Sequence, residues 1–96
     1  MSKPIIKLKN LGPTSEYWLA RIDIHTFDDI QQKGAINCFE ALCELPDFKP
    51  SLNFLYAMLG ALENKHWTKY KQYKGEILIE LERNEEIKKL FNLNSN

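Results

Sequence analysis

Apolar side chains recur along the chain at intervals of three and four residues, a period typical of amphipathic helices rather than strands. The strongest run follows Ser51, a favourable residue for a helix N-cap. Its apolar positions form one broad face: Leu52, Phe54, Leu55, Tyr56, Met58, Leu59 and Leu62. This pattern predicts a central helix. Gly60 inside it costs about 1 kcal/mol relative to alanine, which indicates a close helix crossing at that point.

Turn-forming residues divide the rest of the chain into shorter predicted helices. Pro13 suits the first position of a helix, where its missing N–H would have no partner. Thr26 and Asp29 have the spacing of a capping box, with Asp in place of the usual Glu, and Gly34 is typical of a helix stop. Besides the central helix, the predicted segments are a single turn at 5–8, helices at 13–21, 26–33 and 35–44, and a last helix that begins between 68 and 73 and runs toward 91, with an interruption near 84.

These segments predict one compact all-α domain of five to six helices. The domain should span residues 1–96, with its core at about 8–90 and a frayed end at 92–96. A chain of 96 residues with 44% hydrophobic residues fits a single modest core. No apolar run approaches the length of a membrane span, and the start of the chain lacks a signal-peptide core. We therefore expect a cytoplasmic protein that does not contact membranes.

The residues capable of metal or covalent chemistry are few. Cys38 and Cys43 lie five positions apart on one predicted helix and point in different directions, so a local disulfide is not expected. The two cysteines together with His25 and His66 could in number form a four-ligand zinc site. The chain, however, lacks the Cys-x-x-Cys and His-x-x-x-His spacings that zinc ligands usually have. We expect buried, inert cysteines, histidines that cap or pack helix starts, and no metal, cofactor or catalytic residues.

The charge of the chain is balanced overall and uneven locally. Thirteen basic and thirteen acidic residues give a net charge of zero, which argues against nucleic-acid binding by bulk charge. Lysines nevertheless cluster in 1–12 without any acid, and in 63–75 against one acid. The lysines of the two clusters are Lys3, Lys7 and Lys9, then Lys65, Lys69, Lys71 and Lys74. Two basic patches and an ordinary solvated surface both fit this pattern.

Aromatic residues are interleaved with the second lysine cluster. Trp67, Tyr70 and Tyr73 could stack on the bases of a single-stranded nucleic acid. Their spacing of three favours the alternative, in which Trp67 and Tyr73 pack into the core while the lysines face water.

The segment Asn10-Leu11-Gly12-Pro13 joins a short helical turn directly to a longer helix, and this arrangement resembles the hairpin of helix-hairpin-helix and SAM-like folds. In that hairpin, backbone amides and the N-terminus of the second helix hold a nucleic-acid phosphate. Asn10 and Asp23 stand where the motif has glycine. Both residue types tolerate positive φ, so the fold should survive. The charge of Asp23 and the donor missing from Pro13 favour a hairpin used only for packing.

Residues from about 8 to 81 resemble the C-terminal domain of the TfoX (Sxy) family, bacterial regulators of competence for DNA transformation. The resemblance rests on the order of these motifs: Asn10-Leu11-Gly12-Pro13-Thr14-Ser15, Ile24-His25-Thr26, Gly34-Ala35, Ser51 to Met58, Gly60-Ala61-Leu62 and His66-Trp67. It implies a non-enzymatic module of transcription regulation. Many family members carry an N-terminal domain that we expect this chain to lack, so the activity of that domain is not implied.

Two functional hypotheses follow. In the first, the module contacts the DNA backbone with little sequence readout, or contacts a transcription-regulatory protein. Its phosphate contacts would come from Gly12, Thr14 and Ser15 with Lys7 and Lys9 adjacent, and Lys65, Lys69 and Lys71 would form a second patch. In the alternative, the module binds only proteins, including copies of itself in a homo-oligomer. An enzyme would require a cleft that gathers His25 or His66 with a carboxylate or a cysteine.

Overall fold

A computed structural model of the chain describes residues 3–81, without the side chains of Leu78, Glu80 and Leu81. Over these residues the backbone forms five α-helices and two 3-10 segments, so the predicted all-α class is confirmed. The helices are α1 (Pro13–Ala20), α2 (Phe27–Lys33), α3 (Ala35–Cys43), α4 (Leu52–Glu63) and α5 (Lys74–Leu81), and the first and second 3-10 segments are Ile5–Lys7 and Trp67–Tyr73. The predicted continuation of the last helix toward 91, its interruption near 84 and the frayed end at 92–96 lie outside the described residues.

Local capping signals fix the ends of the helices where they were predicted. The Thr26 hydroxyl accepts a hydrogen bond from the backbone N–H of Asp29 at 3.3 Å, and the Asp29 carboxylate accepts one from the backbone N–H of Thr26 at 3.1 Å. This pair is a complete capping box at the start of α2. Gly34 ends α2 with a φ of +90°. At the start of α4, the Ser51 hydroxyl accepts from the N–H of Asn53 at 3.2 Å.

Helix α4 is central, as its broad apolar face predicted, and it packs against α2, α3 and the second 3-10 segment. Leu55 and Met58 of α4 are fully buried. The other fully buried side chains come from several elements: Ile5, Leu19, Ile30, Cys38, Phe39 and Leu42. The first 3-10 segment is thus anchored in the same core, which places the chain that follows it against the end of α4.

The close approach predicted at Gly60 exists, but no second helix makes it. A Cβ atom at this position would lie closer than 3 Å to the side-chain nitrogen of Asn10 and to the backbone carbonyl oxygen of Lys65. The interpretation as a helix crossing was therefore wrong. Gly60 makes room for a contact between the hairpin and the loop that leaves α4.

The second 3-10 segment changes which aromatic residues are buried. Its three-residue period aligns Trp67, Tyr70 and Tyr73 on one side. Tyr70 is buried and Trp67 is partly buried against the core, whereas Tyr73 remains 47% exposed at the junction with α5. The prediction that Tyr73 packs into the core was therefore wrong: Tyr73 ends the 3-10 segment and lines an open groove.

Candidate nucleic-acid interface

The hairpin connects the first 3-10 segment to α1, and Leu8 and Leu11 anchor it in the core. Its left-handed residue is Asn10, with a φ of +72°, whereas Gly12 has an extended φ of −136° that other residues can adopt. Asp23 also has a positive φ, of +62°. The expectation that Asn and Asp would tolerate the two glycine positions of the motif is confirmed.

The side chain of Asn10 ties the hairpin to the loop after α4. Its Nδ2 donates a hydrogen bond to the carbonyl oxygen of Lys65 at 2.7 Å, and its Oδ1 accepts one from the backbone N–H of Trp67 at 3.2 Å. These bonds join residues that lie 55 and 57 positions apart in the sequence. Sequence reasoning treated Asn10 only as a substitute for glycine and missed this role. The available signal was its amide, which offers a donor and an acceptor at once.

The first turn of α1 holds the three residues predicted to contact a phosphate. Gly12 is the N-cap residue and provides no side-chain cap, and Pro13 occupies the first helical position. Thr14 is exposed and Ser15 is partly exposed. A Cβ atom on Gly12 would meet nothing within 4 Å, so the space beside this turn is open. The carboxylate of Glu16 in the same turn counteracts the attraction of the helix N-terminus for an anion.

Lys7 and Lys9 line an open groove of about 600 Å³, which we call the first groove. Lys3 joins them there, although Gly12, Thr14 and Ser15 are not among the residues that line it. The remaining lining residues are Leu8, Phe27, Asp28, Ala61, Leu62 and Asn64. The groove therefore combines apolar walls with three lysines from the N-terminal cluster.

Lys65 and Lys69 line a second groove of similar volume, beside the second 3-10 segment. The other residues of this second groove are Leu59, Glu63, Tyr70, Gln72, Tyr73 and Ile77. Lys71 does not belong to it. The ammonium nitrogen of Lys71 lies 4.9 Å from the ring centroid of Trp67, and Lys71 lines a separate depression with Lys74. The structure thus brings together two lysines of the predicted second patch and separates the third.

The acidic residue of the second groove has a hydroxyl partner. The Tyr70 hydroxyl donates a hydrogen bond to the Glu63 carboxylate. Burial and this bond to Glu63 raise the pKa of Tyr70 to about 12. Tyr70 is therefore neutral at physiological pH and acts as a donor, and the carboxylate of Glu63 is held beside it.

The histidines have roles at helix starts. The Nδ1 atom of His66 accepts a hydrogen bond from the N–H of Thr68 at 3.3 Å and so caps the second 3-10 segment. The backbone N–H of His25 donates to the Asp29 carboxylate at 2.8 Å, while its exposed ring lies 3.0 Å from the carboxylate of Asp23. The expected capping function is confirmed for His66, whereas the cap of α2 is Thr26 and the His25 ring neither caps nor packs against that helix start.

The cysteines lie on α3, where Cys38 is buried as predicted and Cys43 is only partly buried. Burial raises the pKa of the Cys38 thiol to about 11 and that of Cys43 to about 12, so few thiolates form at neutral pH. Within residues 3–81, no three His, Cys, Asp or Glu side chains are grouped so that they could hold a metal ion. No helix in the same range is long and apolar enough to cross a membrane.

Together these features define a small all-α domain with a lysine-lined surface. Residues 1–81 match the family model described as the TfoX C-terminal domain, so the chain belongs to this family. The resemblance drawn from the hairpin, α4 and His66-Trp67 is thereby confirmed. The family is one of regulatory domains and is not a known enzyme family. Searches of curated proteins and of solved structures found no match.

Proposed function

We propose that the domain is a non-enzymatic regulatory module that contacts the DNA backbone through the surface around its hairpin. The observation that carries this proposal is the convergence of Lys3, Lys7 and Lys9 on the first groove, where Asp28 is the acidic lining residue. In this proposal the module acts in the bacterial cytoplasm, in the regulation of competence for DNA transformation.

The local excess of positive charge matters more for DNA contact than the net charge of zero. At physiological ionic strength, charges interact over about 8 Å, so a phosphate that approaches the first groove responds chiefly to the lysines around it. Lysine is a flexible point charge, which suits phosphate contact without base readout. The open first turn of α1 at Gly12, Thr14 and Ser15 does not line this groove, and in this proposal it supplies backbone amides for a further phosphate contact.

A protein partner is the second candidate, and the apolar walls of the first groove favour it. Leu8, Phe27, Ala61 and Leu62 line this groove between the lysines. A phosphate backbone gains little from apolar walls, whereas an acidic amphipathic peptide would bury side chains against them. Self-association is a related case, since Tyr17 and Ile79 are 57% and 61% exposed.

A titration of labelled DNA separates these candidates. Duplex and single-stranded oligonucleotides are titrated at about 50 mM and about 200 mM salt, and the three lysines of the first groove alone should make duplex binding weaken by roughly 40-fold between the two. The double variant Lys7→Glu/Lys9→Glu should bind much more weakly. Lys49→Glu is a control with an exposed lysine that lines neither groove, and it should bind like the wild type. Absence of duplex binding at low salt would refute the proposal and leave the protein partner.

A further inference from the structure

We infer that the two lysine clusters, far apart in the sequence, form one continuous DNA-contact surface, and that the side chain of Asn10 holds the two halves in register. This inference rests on the proposed function and specifies the shape of its site. It assigns Asn10 as a positioning residue rather than a contact residue.

The two grooves meet at the loop that follows α4. Asn64 lines the first groove and Lys65, the next residue, lines the second. Consecutive Cα atoms are about 3.8 Å apart, so the loop at Asn64 and Lys65 borders both grooves. In the surface that we infer, a strand of phosphates crosses this loop from the first groove to the second.

The joint surface has a positive charge that the composition of the chain does not indicate. Five lysines line the two grooves, against two acidic residues. The lysines are Lys3, Lys7, Lys9, Lys65 and Lys69, and the acids are Asp28 and Glu63. On a chain with zero net charge, the linings of the two grooves together carry an excess of three positive charges. Such a lining fits a regularly spaced polyanion, whose affinity grows with the number of phosphates neutralised together.

The Asn10 amide fixes the position of the hairpin relative to the loop. Lys9 directly precedes Asn10, and the carbonyl of Lys65 accepts the hydrogen bond from the Asn10 amide at 2.7 Å. The backbone carrying one lysine of each cluster is therefore held at a defined separation. The second bond, from the N–H of Trp67, prevents the amide from rotating away.

The end of α4 is shaped to receive this amide. Asn64 closes the helix in the left-handed conformation with a φ of +56°, and the N–H of Lys65 donates to the carbonyl of Gly60 at 2.8 Å. This turn directs the carbonyl of Lys65 toward Asn10, and the missing side chain of Gly60 leaves the space for their contact. The hairpin, the C-terminal end of α4 and the loop after it thus all shape the hydrogen bond between Asn10 and Lys65. A hairpin with glycine in place of Asn10 would lack this bond.

Four variants of the whole chain test the inference, each checked first for helical content by circular dichroism. They are Lys7→Glu/Lys9→Glu, Lys65→Glu/Lys69→Glu, Asn10→Gly and the control Lys49→Glu. Each double reversal should lower duplex affinity at least about 10-fold and reduce the slope of log affinity against log salt by about 2. Asn10→Gly keeps every lysine and suits the positive φ, yet it should also lower the affinity and the slope because the two halves lose their register.

The outcomes separate the inference from the proposed function. If Lys7→Glu/Lys9→Glu weakens binding while Lys65→Glu/Lys69→Glu behaves like the control, the continuous surface is refuted and DNA contact at the hairpin stands. If both double reversals weaken binding while Asn10→Gly matches the wild type in affinity and slope, the positioning role of Asn10 is refuted. If Asn10→Gly loses helical content, the two double reversals alone decide whether the surface is continuous. If the wild type binds no duplex even at low salt, the proposed function fails together with the inference.

Discussion

Replacing Gly60 by alanine tests the packing between the hairpin and the end of α4. The new methyl group would be placed closer than 3 Å to the Asn10 side chain and to the backbone carbonyl of Lys65. Because one of these neighbours is backbone, the conflict cannot be relieved by a change of rotamer alone. Gly75 in α5 provides a matched control, since a Cβ atom there would meet nothing within 4 Å.

The opposing effects at Gly60 can be given magnitudes. Alanine in a helix interior is favoured over glycine by about 1 kcal/mol. Overpacking typically costs about 1–3 kcal/mol, and each lost hydrogen bond of Asn10 costs about 0.5–1.5 kcal/mol. If both hydrogen bonds of Asn10 are lost, the free energy of unfolding of Gly60→Ala should therefore fall by about 1–5 kcal/mol. Gly75→Ala has only the favourable effect and should be unchanged or more stable by up to about 1 kcal/mol.

Thermal and urea unfolding, followed by circular dichroism, measure this difference. For a domain of this size, 1 kcal/mol corresponds to about 4–8 °C in Tm. We expect Gly60→Ala to melt at least about 4 °C below the wild type and Gly75→Ala to melt at or above it. Equal or higher stability of Gly60→Ala would show that the hairpin and the loop are not held as close together as the structure indicates.

Three further predictions concern single residues. Asp23→Gly should leave the free energy of unfolding within about 1 kcal/mol of the wild type in urea titrations. Glycine removes the cost of the positive φ at this position, but it also raises the entropy of the unfolded chain, and the two effects oppose each other. A larger loss of stability would refute this prediction. The hydrogen bond from the backbone N–H of His25 lowers the pKa of Asp29 below its ordinary 3.8. The Asp29 carboxylate therefore stabilises the fold above pH 3.8, and this stabilisation is lost as the pH falls through the lowered pKa. Asp29→Asn should accordingly lose less stability than the wild type during acid unfolding below about pH 4, and identical acid curves would contradict this. Cys38 and Cys43 should react slowly with a thiol reagent at about pH 8 and rapidly in denaturant, and rapid labelling of the folded protein would be incompatible with their raised pKa values.

The helices of this domain could be predicted because their signals are local. The capping box of Thr26 and Asp29, the stop at Gly34 and the N-cap at Ser51 each depend on residues within four positions of one another. The broad apolar face of α4 likewise predicted its central place, because burial of such a face requires neighbours on several sides.

The contacts that shape the candidate site could not be predicted in the same way. Asn10 bonds to residues 55 and 57 positions away, and no local pattern indicates a partner at that distance. Gly60 indicated that another part of the chain approaches α4 closely, but it did not indicate which part. Lys71 was grouped with Lys65 and Lys69 because they are neighbours in sequence, whereas the 3-10 segment directs Lys71 toward Trp67.

The most direct test of the proposed surface is a titration of the isotope-labelled protein with a short DNA duplex, followed by amide chemical shifts at low salt. We predict that the shifts concentrate in two segments distant in sequence, 3–15 and 64–69, and that Lys49 and the α3 helix remain unchanged. Shifts confined to 3–15 would contradict the continuous surface. Shifts centred on other parts of the domain, or none at all, would contradict the account of this domain as a DNA-contacting module.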